Sequence, residues 1–423
     1  MVSALDHVRD LGDFVAAAPS SFHAAAEGAR RLLAAGFTAQ DEQAEWDSTP
    51  GGHFVVRDGA LIAWHIPDGA TSTTGFRVVG SHTDSPTFKL KPRPDIGGFG
   101  WQQLGVEVYG GPLLNSWLDR ELGLAGRLVL RSGESRLVQT EAIMRIPQLA
   151  VHLDRGVNDE GVKLNKQQHT APVWSVGHLE LSILDYLAER AGAAGADVGG
   201  YDVVAFETAR GAVFGPRQEF FASSRLDNLS SVHASLSALL AHEEGGDFIA
   251  VLAAFDHEEI GSASRSGAAG PILADVLSRI AHSLGATYDE QQRALAKSYC
   301  LSADAGHAVH PNYPQRHDPA NLPLLNRGPL LKINANQRYA TDAVGAALWR
   351  RACQRAGVAT QEFVSNNNVP CGSTIGPLTA TRLGIATVDV GTPLLSMHSA
   401  RELCGVEDPL ALALAIGAFF SVA

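Results

Sequence analysis

Two adjacent glutamates end an apolar run in the stretch IAVLAAFDHEEIGS, residues 249–262: after Ile249 to Phe255 come Asp256, His257, Glu258 and Glu259. Neighbouring carboxylates at the end of a buried strand repel each other and are costly to desolvate, so a cation or a bound proton is needed to offset them. Four more residues fit the same chemistry. His82 and Asp304 each follow directly after an apolar, strand-like run, Asp227 precedes a helix-like stretch, and His398 lies in the loop GTPLLSMHSARE soon after another strand. Two imidazoles with several carboxylates make a donor set suited to zinc or a similar divalent metal. Consecutive side chains leaving a strand point in different directions, so one glutamate can coordinate a cation while its neighbour faces a water that the cation polarises. The free carboxylate can take that water's proton and later return it to a leaving amine. A second cation, shared through a bridging carboxylate, would position the substrate and stabilise a developing oxyanion.

Taken singly, each element is weak. His82 with Asp84 reads equally well as a surface turn, Asp304 as a turn or cap residue, and His398 as a hydrogen-bonded structural or surface histidine. The glutamate pair is harder to explain without a cation. Loops beyond the carboxyl ends of strands in an open α/β sheet converge on one crevice, and that brings distant positions of this kind together.

The elements that must position these residues show as patterns. Val2, Leu5, Val8, Leu11, Phe14 and Val15 recur at helical spacing up to Pro19. Ser20 or Ser21 can cap a second helix running to about Gly36, with Leu32 and Leu33 on its buried side. HFVVRDGALIAWHI predicts a hairpin turning at Asp58-Gly59, and GFRVVGSHTDSP a strand that stops at a small residue followed by His82. From about Leu90 to Arg210, Gly and Pro become frequent and short alternating runs appear (LGVEVYGG, GRLVLRSG, SRLVQTEAIMRI). That texture predicts an inserted β-rich unit, closed by a helix around HLELSILDYLAERAGA and a strand YDVVAFE. Beyond it, FIAVLAAF, AKSYCLSADAGH and GIATVDVG alternate with helical stretches, as in a largely parallel sheet. The expected fold is therefore α/β, a mixed and mostly parallel sheet flanked by helices. It is contributed by residues 1–90 and 216–423 and interrupted by an insert at 91–215.

Composition bounds the partners. Of 423 residues, 45% are hydrophobic and 18% charged, a globular balance, and the net charge of −12 argues against a nucleic-acid binder. No apolar stretch approaches the roughly 18 residues of a membrane span. The first residues lack a basic segment followed by an apolar block and a cleavage site, so they are expected to belong to the fold. Cys300, Cys353, Cys371 and Cys404 have no close paired spacing, which suits a reducing cytoplasm.

GSHTDSP, SSRLDNL, DHEEIGS, SADAGHAVHPNY, KINANQRYAT and MHSARE, together with RIPQLAVHLDR in the insert, closely resemble the aspartyl aminopeptidases, dinuclear-zinc exopeptidases. The resemblance covers essentially the whole chain. It implies that His82 and Asp304 bind one zinc, Glu259 and His398 the other, and that Asp227 bridges them. Mn2+ or Co2+ accept the same donors. Glu258 would be the general base and acid, and Asp84 would orient His82. The peptide after the bridging aspartate is commonly cis in this fold, so a cis Asp227–Asn228 bond is expected. The insert would be a dimerisation domain whose His152 reaches the neighbouring subunit's site, against the plainer reading of a cap or core contact. Dimers would assemble into a tetrahedral dodecamer. Lys332 would attract an acidic N-terminal side chain, with Tyr339 nearby as a hydrogen-bond donor and His307 and His310 lining the same region. Without the resemblance, Lys332 reads as a solvated lysine at a strand edge. One departure is Asn336, where some relatives carry lysine.

The resemblance thus implies an aminopeptidase that removes N-terminal Asp or Glu from peptides. Two readings compete: a two-metal aminopeptidase of broad or neutral, leucine-type specificity, against which Lys332 weighs, and a non-catalytic assembly protein, which loss of Glu258 or a ligand would have favoured. Nucleophilic catalysis has little support, since no G-x-S-x-G occurs.

Overall fold

The apolar runs lie side by side in one nine-stranded sheet in a computed structural model of the chain, which describes residues 2–178, 180–242 and 246–421. At its centre, Phe248–Phe255, Gly75–His82, Tyr299–Ala303 and Ala386–Gly391 run parallel to one another. Antiparallel pairing enters at Ala60–Ile66 on one side and Leu330–Ile333 on the other. The sheet is mixed and mostly parallel, as expected.

Helices cover both faces, which is why the central strands are apolar without alternation. Val79, Leu252 and Leu301 point into a core shared with the helices Ala4–Ala17, Leu226–Leu240 and Asp408–Ser421. Their neighbours Val78, Val251 and Cys300 point the other way, against Ile272, Val276 and Ile280 of the helix Ile272–Ser283. The second helix is Ser21–Ala34, capped by the Ser20 hydroxyl. Leu32 is buried, but Leu33 is 56% exposed and does not share its face, because adjacent helical residues diverge by about a quarter turn.

The stretch between strands Gly75–His82 and Phe220–Ser223 builds an antiparallel six-stranded sheet. Its strands Thr87–Gly98, Trp101–Tyr109, Leu122–Leu130 and Val198–Glu207 enclose a core of Phe88, Leu104, Leu124, Leu128, Ile183 and Leu187. A third, five-stranded sheet was not foreseen. It contains the antiparallel pair Pro393–Leu395 and Glu402–Gly405, so His398 sits in the turn of a hairpin and not in an open loop.

The four cysteines are free. Among the described residues, no helix is long and apolar enough to cross a membrane.

Candidate metal centre

The register of the parallel strands brings the site together. Phe255 lies opposite His82, and Ala303 opposite Val390, so the strands end level and release their next residues at one edge. His82 is the last residue of its strand, and the Asp304 amide still donates to the Val390 carbonyl at 2.9 Å. The glutamates do not leave their strand in extended form. His257 takes a left-handed conformation (φ 64°) and turns Glu258–Ile260 into a single 3-10 turn. Asp227 opens the helix Leu226–Leu240, and its peptide to Asn228 is cis, as the resemblance implied. The Asn228 side chain donates to the Ala303 carbonyl at 2.9 Å, tying that helix to the strand before Asp304.

Two donor groups result. His82, Asp227 and Asp304 form one; Asp227, Glu259 and His398 form the other; within each, the atoms lie within 4.8 Å of one another. His82 Nε2 is 3.4 Å from Asp227 Oδ1 and 3.5 Å from Asp304 Oδ1. His398 Nε2 is 3.5 Å from both Asp227 Oδ2 and Glu259 Oε2. Asp227 thus gives one oxygen to each group. Two ligand atoms bound tetrahedrally at about 2.0–2.2 Å from one zinc stand about 3.4 Å apart, which is the spacing found. Glu258 belongs to neither group, with Oε2 at 3.9 Å from His82 Nε2.

The hydrogen bonding also fits cations. His82 Nδ1 donates to the Asp84 carbonyl and His398 Nδ1 to the Gly111 carbonyl, both at 3.0 Å. A carbonyl only accepts, so each ring keeps its proton on Nδ1 and turns Nε2 toward the carboxylates. Asp227 Oδ1 and Glu259 Oε1 are buried with no hydrogen-bond partner, a costly arrangement that a cation would relieve.

The buried carboxylates and imidazoles shift one another's proton affinity. Burial opposes charge on His82, yet Asp227, Asp304 and Asp84 hold its pKa well above the usual value. Burial likewise opposes charge on His398, but Asp227 and Glu259 raise it to about 10. Burial raises Glu259, with the Asp227 charge adding to it, and pushes Glu258 up to about 7. Metal binding would displace the imidazole protons.

Lys332 is no strand-edge lysine. Its strand Leu330–Ile333 lies inside the sheet and its side chain is buried. Nζ donates to the Ala305 carbonyl at 2.8 Å, lies 3.6 Å from Asp304 Oδ2, and stands 5.1 Å from the centre of the Tyr339 ring. Tyr339 is buried in a small cluster with Leu330 and Phe363, against which Cys371 packs. His307 adjoins this group through the Phe363 ring, 6.0 Å away, and the Lys332 charge helps lower its pKa after desolvation. His310 is not brought there by any hydrogen bond or ring contact among the described residues: it packs on Tyr313, and its amide donates to His317. Asn336 is exposed in a turn, bonded to Asn334. His152 is exposed on the insert and makes no hydrogen bond or ion pair with the metal-site residues of its own chain, among those described.

Comparison with known proteins agrees with this geometry. A family model described as aminopeptidase I zinc metalloprotease (M18) matches residues 14–420. The chain belongs to the M18 family. It is 52% identical over 419 residues to a probable M18 family aminopeptidase 2 of Streptomyces coelicolor, covering 98% of this chain and 97% of the relative. Among solved structures, it superposes on a chain of the Ape4 and Nbr1 complex with a TM-score of 0.95 at 35% identity, covering 99% of this chain and 86% of that one. It superposes on the mApe1 dodecamer of S. cerevesiae with a TM-score of 0.85 at 30% identity, covering 97% and 96%. The protein is therefore a zinc-metalloprotease-family aminopeptidase, hydrolysing peptides at the N-terminal residue.

Three features of this M18 site lie beyond the sequence reading. The backbone carbonyl of Asp84, at 3.0 Å, serves His82 more closely than its carboxylate does at 3.4 Å. The carboxylate instead accepts from the amides of Glu258 (3.0 Å) and Glu259 (3.1 Å) and from the Tyr109 hydroxyl (2.8 Å). Glu402 accepts from the amides of Asp227 and His398. Gly111, from the insert, orients His398. Glu402 stands in the quoted MHSARE, where an acid leading into the apolar LCG was the available sign of burial. Tyr109 and Gly111 carried no such sign.

Proposed function

We propose that this M18 chain is an aminopeptidase preferring N-terminal Asp or Glu and working with two divalent cations, most naturally Zn2+. His82 and Asp304 would hold one cation, Glu259 and His398 the other, with Asp227 between them. Bound there, the cations supply Lewis acidity, lowering the pKa of a water and polarising the scissile carbonyl. The observation that carries this reading is the division of Asp227 between two donor groups, with Glu258 beside but outside both.

Glu258 takes the proton of the attacking water on its carboxylate and returns it to the departing amine. Its place beside both donor groups but in neither leaves its carboxylate free to accept a proton and give it back. Asp84 holds the backbone of the glutamate pair, so Glu258 reaches inward without a ligand's restraint. Lys332 leaves two ammonium hydrogens beyond the Ala305 bond, and these favour a carboxylate in the pocket of the first residue. A specific observation favours the broader, leucine-type alternative: the same ammonium already faces Asp304 Oδ2, which offsets part of its charge.

His152 would act in a neighbouring subunit's site as a hydrogen-bond donor to the tetrahedral intermediate, and the insert at 91–215 would form the dimer. Exposed Phe99, Trp101, Leu149, Leu153 and Val176 on the insert support self-association. The dodecamer of the S. cerevesiae relative supports a similar assembly built from dimers here. The free, mostly buried cysteines and the acidic charge support a cytoplasmic protein that binds neither nucleic acid nor membrane.

Glu258→Gln tests the reading. It should keep both metals by elemental analysis and lose about 10²- to 10⁴-fold in kcat. Unchanged turnover would remove Glu258 from the chemistry.

A further inference from the structure

Glu402 has no part in the chemistry above, yet it is 2% exposed and spends both oxygens on the backbones of two site residues. Oε2 accepts from the Asp227 amide at 2.9 Å and Oε1 from the His398 amide at 2.7 Å. The two amides belong to different elements, a helix start and a hairpin turn, with no backbone hydrogen bond of their own between them among the described residues. Glu402 itself is fixed in place, being the first residue of the strand Glu402–Gly405 and paired with Ser223 just ahead of the Asp227 segment.

His398 needs this support more than the other donors do. His82 lies within a strand, and Asp304 and Asp227 are tied by the Val390 and Asn228 bonds. His398 takes a left-handed conformation (φ 66°) in its turn. Besides the two carboxylates facing its Nε2, the Gly111 carbonyl on Nδ1, the Leu113 amide on its carbonyl and Glu402 on its own amide hold it. Building on the two-cation reading, we infer that Glu402 is a positioning residue that fixes the distance between Asp227 and His398. It thereby sets the affinity of the cation held by Asp227, Glu259 and His398, more than that of the cation at His82 and Asp304.

The chemistry of the clamp makes this testable. Both oxygens must accept, so a glutamine turns its amide nitrogen toward one of the two N–H groups and loses that bond. Aspartate keeps the charge but is one methylene too short to reach both. Elemental analysis of zinc, during titration of the full chain with a chelator, reads each cation without reference to turnover. The parent should hold two zincs per chain. Glu402→Gln, and to a lesser degree Glu402→Asp, should release one of them at about 10- to 100-fold lower chelator strength, while the other leaves as in the parent. Excess Zn2+ should restore turnover. Loading with Co2+ should show the same single-site loss in the visible spectrum. If Glu402→Gln does not fold, Glu402→Asp decides alone. Parent-like retention of both zincs, or loss of both in step, would overturn the role of Glu402. A parent chain that binds no metal would overturn the two-cation reading itself, a different result.

Discussion

At the scale of single residues, Asp227 is the one the site can least spare. Its oxygens face His82 and His398 separately, and Oδ1 is buried without a hydrogen-bond partner. Asp227→Ala should therefore empty both cation positions by elemental analysis, and full retention of two metals would contradict the bridge. His82, Asp304 and the glutamate pair could be picked out in the sequence because each interrupts an apolar run at its end, where a buried strand has no other use for a charge. Which glutamate faces which histidine was implied by the family resemblance but could not be read from the pattern itself. That follows from the left-handed His257, and a histidine at positive φ leaves no mark in a composition pattern. Glu402 was hidden for a related reason: its partners are backbone amides, and any acid can accept from those.

At the scale of elements, parallel register does the gathering. Strands that are apolar on both faces were easily recognised, and their level ends follow from the pairing. The hairpin around His398 was read as a loop because strands of three and four residues are too short to show alternation. The insert is more than an appendage: Tyr109, Gly111 and Leu113 brace Asp84 and His398, and Arg127 reaches back to Asp58 at 2.7 Å. The first helices carry a pH dependence of their own. Burial, then the charge of His233, lowers His7 from 6.5 to about 4. Burial, then Arg225, lowers His23 to about 4 as well. The folded chain keeps these rings neutral while the unfolded chain protonates them below pH 6.5. Stability is thus fully present above that value and lost as pH falls toward 4. Between pH 7 and pH 5, each costs about 2 kcal/mol. His7→Gln cannot titrate there, so its urea midpoint should fall less than the parent's between those pH values. An equal fall would show that His7 does not titrate as described.

At the scale of the whole molecule, the proposed role of the exposed His152 bears on how many chains make one active site. If it serves a neighbour, a His152→Ala chain and a Glu258→Gln chain are complementary: in a mixed dimer one site carries both lesions and the other carries neither. Co-expression should regain a substantial fraction of parent activity, while each variant alone stays impaired. A mixture no better than the sum of its parts would place His152 outside the shared site. The fold class and the presence of an inserted sheet were readable from texture alone, because Gly- and Pro-rich alternation contrasts with long apolar runs. How copies assemble was not, since contacts between chains follow from surface shape. Exposed hydrophobic residues of the insert such as Phe99, Trp101 and Leu153 look the same in sequence as buried ones.

Selectivity is where Lys332 must act against the carboxylate already facing it. The most direct measurement is kcat/KM for peptides differing only in the first residue, on the zinc-loaded parent and on Lys332→Ala. Asp- and Glu-terminal peptides should exceed the Leu-terminal one by at least about tenfold in the parent, the effect of roughly 1.4 kcal/mol from one buried charge pairing. Lys332→Ala should remove most of that margin. A parent that cleaves Leu as well as Asp, or a variant that slows both equally, would contradict an acid-selective aminopeptidase built around Lys332.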